Sequence, residues 1–242
     1  MTTILITGAS DGIGLALAQR YRSAGALVIG VGRRAPATIE AAARRDDCRV
    51  DLAQPFAAAI VSAFLARRGV ARLDLLIHSA GIGSYGPVES QTADAIDALL
   101  DTNLRAPIAL THALLPLLAA VGGKVVFIGS VAAALPAPQY AVYGASKAAI
   151  AGFARSLRVE LRGTGVAVQT IHPGATRTAM HAKIGAPLAQ IGHRRFPPPE
   201  RVAAQIVSAI AGTAPTVVIG VGNRLLYAAG RRLGALVDRV AR

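Results

Sequence analysis

A glycine-rich segment near the start of the chain constrains the fold more than any other feature. It reads Thr7-Gly-Ala-Ser-Asp-Gly-Ile-Gly14, and it lies between the apolar runs Ile4–Ile6 and Leu15–Ala18. An apolar run, a glycine turn and a second apolar run predict a buried strand that leads into a helix. The N-terminus of such a helix offers free N–H groups to phosphates. The segment therefore predicts an α/β fold with a dinucleotide-phosphate site.

The three glycines of this turn have separate expected roles. Gly8 permits the tight turn, Gly12 lets the backbone approach a pyrophosphate, and Gly14 allows close packing of helix on strand. The spacing is G-x-x-x-G-x-G and differs from the commoner G-x-G-x-x-G. A glycine turn without a ligand is the alternative for this motif alone. If a dinucleotide binds, we expect Ser10 and Ile13 to contact it as well.

A phenol and an ammonium group stand four residues apart in Tyr143-Gly-Ala-Ser-Lys147, and Ser130 lies 13 residues before the phenol. In a helix, residues at this spacing share one face. A positive charge close to a phenol favours the phenolate and lowers the pKa from its ordinary value of about 10. Such a group exchanges a proton with a substrate oxygen near neutral pH.

These motifs resemble the short-chain dehydrogenase/reductase family over nearly the whole chain. Besides the glycine segment, the matching residues are Asn103 in Asp-Thr-Asn-Leu-Arg, Ser130, Tyr143, Lys147, Pro173-Gly174 and Thr178. The resemblance implies an oxidoreductase that transfers hydride between a nicotinamide cofactor and a ketone or secondary alcohol. It also implies that Pro173, Gly174, Thr176 and Thr178 contact the cofactor.

The resemblance assigns roles to four side chains. Tyr143 would be the general acid in reduction and the general base in oxidation, and Ser130 would hold the carbonyl oxygen. Lys147 would lower the pKa of Tyr143 and bind the nicotinamide ribose. Asn103 would anchor a water molecule that links Lys147 to solvent. We predict no metal site.

One position departs from the family pattern. The usual Asn-Asn-Ala-Gly after the fourth strand reads His78-Ser-Ala-Gly81 here. We expect Ser79, Ala80 and Gly81 to pass close to the cofactor, as in the family. His78 is predicted to be a buried histidine satisfied by backbone partners.

The end of the second strand indicates the cofactor. An NAD site has an acidic residue where Gly32 stands, whereas here Arg33 and Arg34 follow at once. Guanidinium groups pair with a 2′-phosphate, so NADP(H) is favoured over NAD. Asp11 is a counter-signal, because NADP enzymes of the family often carry a basic or neutral residue there. Asp51-Leu52 should bracket the adenine edge.

Composition excludes several classes. The 242 residues suit a single domain, 1–242, and the net charge is +13. Scattered basic residues and few aromatics argue against nucleic-acid binding. The single cysteine, Cys48, and an N-terminus without a basic leader suit a cytoplasmic protein. The uncharged run 106–123 is predicted to be a buried helix instead of a membrane span.

Alternating patterns predict a single-domain Rossmann-like, doubly wound parallel sheet of about seven strands with helices on both faces. We predict strands near 3–7, 26–32, 48–51, 73–79, 123–129, 165–172 and 216–219. We predict helices near 12–24, 36–44, 54–68, 91–102, 104–120, 140–162 and 200–212. The irregular segment 178–199 should form a substrate lid over the nicotinamide. The segment 222–242 reads as an amphipathic helix packed on the domain or a partner subunit, with an anionic membrane as the alternative.

Two other function classes are open to this sequence. One is a non-catalytic dinucleotide-binding regulatory protein of the same fold. The other is a sugar-nucleotide epimerase or dehydratase, which chain length and glycine spacing oppose. Candidate pocket residues indicate a moderately hydrophobic carbonyl or alcohol substrate: Tyr85, Val131, Tyr140, Met180, His181, Ile184 and Ile191. The resemblance implies pairing through the helices near 104–120 and 140–162. Their presumed contact residues are Leu114, Leu118, Ala148, Ala149, Ala151 and Gly152. Since the arginine-rich tail should block the sheet edge, we expect a homodimer, with a homotetramer as the alternative.

Overall fold

Seven parallel strands form one sheet in the computed structural model, which describes residues 1–34, 47–186 and 196–232. The strands are β1 Thr3–Thr7, β2 Leu27–Gly32, β3 Cys48–Arg49, β4 Leu75–His78, β5 Lys124–Ile128, β6 Ala167–His172 and β7 Thr216–Val218. Their order is β3-β2-β1-β4-β5-β6-β7. The predicted doubly wound parallel sheet of seven strands is confirmed. The helix predicted near 36–44 lies outside the described residues.

Eight α-helices accompany the strands over the described ranges. They are α1 Gly12–Ser23, α2 Ala57–Arg67, α3 Ala93–Leu100, α4 Ala106–Ala119, α5 Ala141–Glu160, α6 Ala179–Lys183, α7 Pro199–Ala211 and α8 Val221–Arg232. A π-helical turn, Asp101–Arg105, joins α3 to α4. Helix α6 differs from the sequence prediction, which made the whole of 178–199 irregular.

Apolar residues cover both faces of the sheet. Neighbouring side chains of a strand point to opposite faces, so Leu5 of β1 packs with α2, α4 and α5 on one side. Ile4 and Ile6 pack with α1 and α7 on the other side. Since both faces are buried, the strands read as continuous apolar runs without polar alternation. The few buried polar residues of the strands include Thr7, His78 and His172, which lie at the carboxyl ends of β1, β4 and β6.

Helix α4 accounts for the long uncharged run. Leu110, Leu114 and Leu118 recur every four residues, which places them in one stripe against the sheet, and each is at most 1% exposed. The prediction that Leu114 and Leu118 face a partner subunit is therefore wrong, because the domain's own core covers them. Among the described residues, no helix is both long and apolar enough to cross a bilayer.

Helix α8 covers the last strand of the sheet. Arg224 donates from Nε to the Val218 carbonyl of β7 at 3.0 Å, and Tyr227 is the buried residue of the helix. Leu225 and Leu226 are exposed, at 69% and 53%. The described part of the predicted amphipathic tail thus packs on the domain through Tyr227 instead of its leucines; residues 233–242 lie outside the described ranges.

Candidate active site

The residues predicted to bind the cofactor lie together at the carboxyl ends of the strands. Parallel strands present their carboxyl ends together, and open α/β sheets bind ligands at that edge. The first turn of α1 and the loops after β1, β2, β3, β4 and β6 carry the predicted contacts: Gly8, Ser10, Gly12, Ile13, Gly14, Arg33, Arg34, Asp51, Leu52, Ser79, Ala80, Gly81, Pro173, Gly174, Thr176 and Thr178. The site of the predicted chemistry therefore lies at one end of the central strands.

The glycine turn is tight enough to need its glycines. Gly8 has φ +71°, and a Cβ there would lie 2.7 Å from the Cα of Ala80. A Cβ on Gly14 would collide with the Gly8 carbonyl oxygen, and one on Gly12 would lie 3.1 Å from a methyl of Thr178. The backbone therefore forms a bare cradle in front of α1, which is the arrangement a pyrophosphate needs.

Thr7 joins the two central loops of the site. Its Oγ1 accepts hydrogen bonds from the N–H groups of Ser79, at 3.1 Å, and Ala80, at 3.0 Å. The loop after β4 is thereby fixed against the glycine turn after β1. The sequence analysis assigned no role to Thr7, although a threonine that ends a strand beside a glycine turn is suited to this contact.

Asn103 lies on the π-helical turn and is almost fully buried, at 2% exposure. Its Oδ1 accepts from Ile82 N, and its Nδ2 donates to Ile82 O, both at 2.9 Å. Nδ2 also donates to Ser146 Oγ at 3.1 Å, and Ser146 donates to the Tyr143 carbonyl at 2.7 Å. Asn103 therefore clamps the loop after β4 to the helix that carries Tyr143. The water-anchoring role stays a prediction.

Lys147 is buried beside Tyr143 at the amino end of α5. Its Nζ donates to the Ile128 carbonyl at 3.2 Å and lies 5.7 Å from the centre of the Tyr143 ring. A Cβ on Gly81 would lie 3.4 Å from Nζ and 3.3 Å from Asn103 Oδ1. The structure thus brings Asn103, Tyr143 and Lys147 together around the loop after β4. Burial lowers the pKa of Lys147 to about 8.

The pKa of Tyr143 moves opposite to the sequence prediction. Burial raises it, a hydrogen bond with Ser130 partly offsets that effect, and the nearby Tyr140 raises it further. The net shift is therefore upward, and the expectation that Lys147 lowers the pKa of Tyr143 stays a prediction. The physical reason for the upward shift is desolvation, which penalises both the phenolate and the ammonium.

His172 and Tyr227 support Ser130, and the sequence analysis missed both. His172 Nδ1 lies 2.9 Å from the Ser130 carbonyl oxygen, and its Nε2 lies 3.2 Å from the Tyr227 hydroxyl. Burial lowers the pKa of His172 to about 4, so the ring is neutral at pH 7. Because a carbonyl only accepts, Nδ1 carries the proton and Nε2 accepts from Tyr227. Helix α8 is thereby linked to Ser130.

His78 is buried, as predicted, but its partner differs. Nε2 lies 2.9 Å from Thr111 Oγ1 of α4, and the ring stacks on Phe127 at 5.0 Å. Burial lowers the pKa of His78 to about 3, which makes the ring neutral at pH 7. The histidine therefore braces β4 against α4 through a side-chain bond instead of the predicted backbone bonds.

Aromatic and aliphatic side chains lie next to Tyr143. Tyr140 makes edge contacts with Tyr143, at 6.4 Å between ring centres, and with Tyr85, at 5.1 Å. Met180 and Ile184, in and just after α6, approach Gly83. Ser130 initiates the short 3-10 turn that contains Val131, and His181 lies 6.2 Å from Phe196. Ile191 lies outside the described residues.

Strands β2 and β3, together with the loops that follow β1 and β2, enclose a small hollow. Its wall includes Ser10, Gly32, Arg34 and Arg49. No atom of the described residues lies within 4 Å of a Cβ placed on Gly32, so this position leaves open space. Asp51 accepts a local bond from the Ala53 N–H at 3.1 Å, and the Leu52 side chain is in the core. Within the described ranges, no three His, Cys, Asp or Glu residues are grouped to hold a metal ion.

The sheet order and the bare glycine turn after β1 define a Rossmann-type dinucleotide-binding protein. The model of the short chain dehydrogenase family matches residues 2–189. A short chain dehydrogenase of Pseudocercospora fijiensis is 37% identical over 196 residues, which cover 76% of this chain and 62% of that protein. Sulfoacetaldehyde reductase 2 of Chromohalobacter salexigens is 36% identical over 185 residues, which cover 72% of this chain and 73% of that protein.

A solved structure extends the similarity to nearly the whole chain. The short-chain dehydrogenase of Sphingobium yanoikuyae, in complex with NADPH, superposes with a TM-score of 0.80 and 29% identity. The superposition covers 98% of this chain and 96% of that one. The chain belongs to the short-chain dehydrogenase/reductase family, as the sequence motifs predicted. Its class is that of an NAD(P)-dependent oxidoreductase.

Proposed function

We propose that this protein is an NADPH-dependent short-chain reductase or dehydrogenase that interconverts a ketone or aldehyde and an alcohol. The observation that carries the proposal is the grouping of Asn103, Ser130, Tyr143 and Lys147 beside the glycine cradle. The hydrogen bond between Ser130 and Tyr143, and the clamp through Asn103, join them across three separate chain segments. A dinucleotide sensor without turnover would need no such group.

The described residues fit a dinucleotide cofactor. The cradle of Gly8, Gly12 and Gly14 leaves backbone exposed where side chains would collide, which suits a pyrophosphate. Ser79 and Ala80 are held against this cradle by Thr7, and Thr178, which follows Pro173 and Gly174, lies next to Gly12. When bound, the cofactor supplies or accepts the hydride, while the protein supplies position and proton transfer.

The chain's own side chains would then handle the proton. Tyr143 would donate its hydroxyl proton to the carbonyl oxygen in reduction and take it back in oxidation. Ser130 would hydrogen-bond the same oxygen, with its backbone fixed by His172. Lys147 would bind the nicotinamide ribose. Because the protein groups raise the pKa of Tyr143, they favour the protonated phenol that reduction requires.

The end of β2 supports NADPH over NADH. Arg33 and Arg34 are exposed, and no other described residue comes within 4 Å of a Cβ placed on Gly32. An NAD site would place an acidic side chain in that space for the ribose hydroxyls. Two guanidinium groups that follow a glycine instead of an acidic residue suit a 2′-phosphate, which Arg binds through charge-assisted hydrogen bonds.

A steady-state panel tests the proposed function. We expect NADPH oxidation with at least one moderately hydrophobic ketone or aldehyde, because Tyr85, Tyr140, Met180 and Ile184 surround the site. The panel should contain aliphatic and aromatic ketones, β-ketoacyl thioesters, steroid ketones and sulfoacetaldehyde, each with NADPH and with NADH. Tight NADPH binding without turnover of any compound would favour the regulatory alternative. Preference for NADH would contradict the assignment of Arg33 and Arg34.

We also propose a homodimer formed through α4 and α5. The outer face of α5 is small and accessible, with Ala148 and Ala149 exposed and Ala151 and Gly152 partly so. On α4, Leu115 is partly buried. We propose it as an interface residue in place of Leu114 and Leu118, which lie in the core. The β7 edge is covered by Arg224 and α8, which disfavours pairing between edges. Light scattering should give a dimer mass at low and high salt. A monomer would contradict the α4–α5 interface. A tetramer at all salt concentrations would contradict the proposal that α8 blocks the β7 edge.

A further inference from the structure

The carboxylate of Asp11, in the glycine turn, has an unusual set of partners. Asp11 precedes α1, where aspartate often caps the helix, yet its side chain makes no capping bond. Oδ2 instead accepts from Lys183 Nζ at 2.9 Å and lies 3.6 Å from Arg34 Nη2. The bond with Lys183, with smaller contributions from the Gly12 N–H and Arg34, holds the pKa of Asp11 below its ordinary value. The carboxylate is therefore ionised at neutral pH.

These three charges join distant parts of the chain at the proposed 2′-phosphate site. Arg34 follows β2 and lines the hollow beside Gly32 and Ser10. Lys183 ends α6, 172 positions after Asp11. The same segment touches the glycine turn a second time, where a methyl of Thr178 lies 3.1 Å from a Cβ placed on Gly12. The Lys183–Asp11 pair therefore holds α6 against the glycine turn, and Thr178, just before the helix, lies beside the same turn.

An ionised carboxylate at this position opposes NADPH. It would repel the 2′-phosphate, and it would compete with that phosphate for Arg34. The carboxylate does not repel NADH in this way, because the ribose of NADH carries only hydroxyl groups there. A second cation that pairs with Asp11 removes both effects, because it cancels the carboxylate charge and leaves the guanidinium of Arg34 to bind the phosphate.

We propose that Lys183 is a cofactor-specificity residue, which neutralises Asp11 from α6 and so makes the glycine turn compatible with NADPH. The inference rests on the proposed function, because it assumes a 2′-phosphate beside Arg34. Lys183 supplies from a distant helix the positive charge that the turn lacks at position 11. Both side chains are about half exposed, at 55% for Lys183 and 46% for Asp11. Exposed pairs contribute little to stability, so the effect belongs to the difference in affinity between the two cofactors.

Equilibrium titrations of NADPH and NADH, followed by cofactor fluorescence, test this proposal without turnover. Lys183→Gln should weaken NADPH about 3- to 10-fold and NADH less than about 2-fold, since only one surface charge is unmasked. The double variant Asp11→Asn/Lys183→Gln should restore NADPH affinity to within about 2-fold of wild type, because the unmasked carboxylate is gone. The matched control is Arg72→Gln. It removes one positive charge just before β4, at the amino ends of the strands and away from the cofactor site. It should leave both affinities unchanged.

Two outcomes overturn the proposal while leaving the proposed function intact. One is an equal loss of both cofactors in Lys183→Gln, which would make Lys183 a simple docking residue for α6. The other is a double variant that binds NADPH no better than the single variant. If the wild type shows no NADPH preference at all, the cofactor assignment fails, and the proposal fails with it. Thermal unfolding midpoints of all variants should agree within a few degrees, which excludes misfolding as the cause.

Discussion

Tyr143→Phe should lower the turnover number about 10²- to 10⁴-fold while leaving NADPH affinity within a few-fold of wild type, since general acid–base catalysis has this size. The substitution removes only the hydroxyl group. The phenyl ring keeps the edge contact with Tyr140, and the clamp from Asn103 to the Tyr143 backbone is untouched. Binding and catalysis should therefore separate in one variant. Single-turnover measurements with the best substrate of the panel, alongside NADPH titrations, provide the two readouts.

Tyr140→Phe is the matched control for that experiment. Tyr140 lies one helical turn before Tyr143, and its buried hydroxyl has no hydrogen-bond partner among the described residues. Removing it should change turnover less than about tenfold, because no proton transfer is assigned to it. Retention of more than a tenth of wild-type turnover by Tyr143→Phe would reject Tyr143 as the acid. A larger loss in Tyr140→Phe than in Tyr143→Phe would move that role to Tyr140.

Lys147→Met should abolish most turnover and weaken NADPH, yet raise the free energy of unfolding at pH 7. The pKa of Lys147 falls from 10.5 to about 8 in the folded protein, which corresponds to a cost of about 3 kcal/mol for the buried ammonium. Methionine avoids that cost but forfeits the hydrogen bond to Ile128, worth about 1 kcal/mol. A net stabilisation of about 1–2 kcal/mol at pH 7 is therefore expected, with a turnover loss of about 10²-fold or more.

The difference in the free energy of unfolding between wild type and Lys147→Met should depend on pH, with a direction set by the lowered pKa of Lys147. Between pH 8 and pH 10.5 the unfolded chain holds the Lys147 proton and the folded chain does not, so wild-type stability rises with pH in that window. The methionine variant lacks this rise, and its advantage should shrink from pH 8 to pH 10.5. Urea unfolding of both proteins at several pH values measures it. A variant that is less stable than wild type at pH 7 would show that burial of the charge is not the dominant effect.

The parallel sheet and the grouping of site residues at the carboxyl ends of its strands were predictable from the sequence because each depends on local pattern. The glycines from Gly8 to Gly14 and the four-residue spacing from Tyr143 to Lys147 are each short enough for neighbouring residues to determine their geometry. Six of the seven predicted strands run one to three residues beyond the observed ones, because local pattern does not show where the ladder bonds end. The assignment of Cys48–Arg49 shows this best, since the predicted strand extended to position 51.

The remaining features depend on contacts between distant positions. His172 and Tyr227 are 55 positions apart, and neither carries a motif that marks it as a partner of Ser130. The upward shift in the pKa of Tyr143 was not predicted, because sequence spacing reveals the neighbouring charge but not the desolvation of both groups. Leu114 was assigned to an interface for a similar reason. An apolar stripe on a helix looks the same whether its own sheet or a second subunit covers it.

The π-helical turn at Asp101–Arg105 makes the position of Asn103 depend on how many residues the helix contains. A π turn holds one residue more than an α turn, so it shifts the angular phase between α3 and α4. Deletion of a single residue from this turn would leave the sequences of α3 and α4 unchanged. It would nevertheless rotate one helix by about 100° relative to the other. The amide would then leave Ile82 and Ser146. Residue count in this stretch is thus as constraining as residue identity, and a substitution scan alone would overlook it.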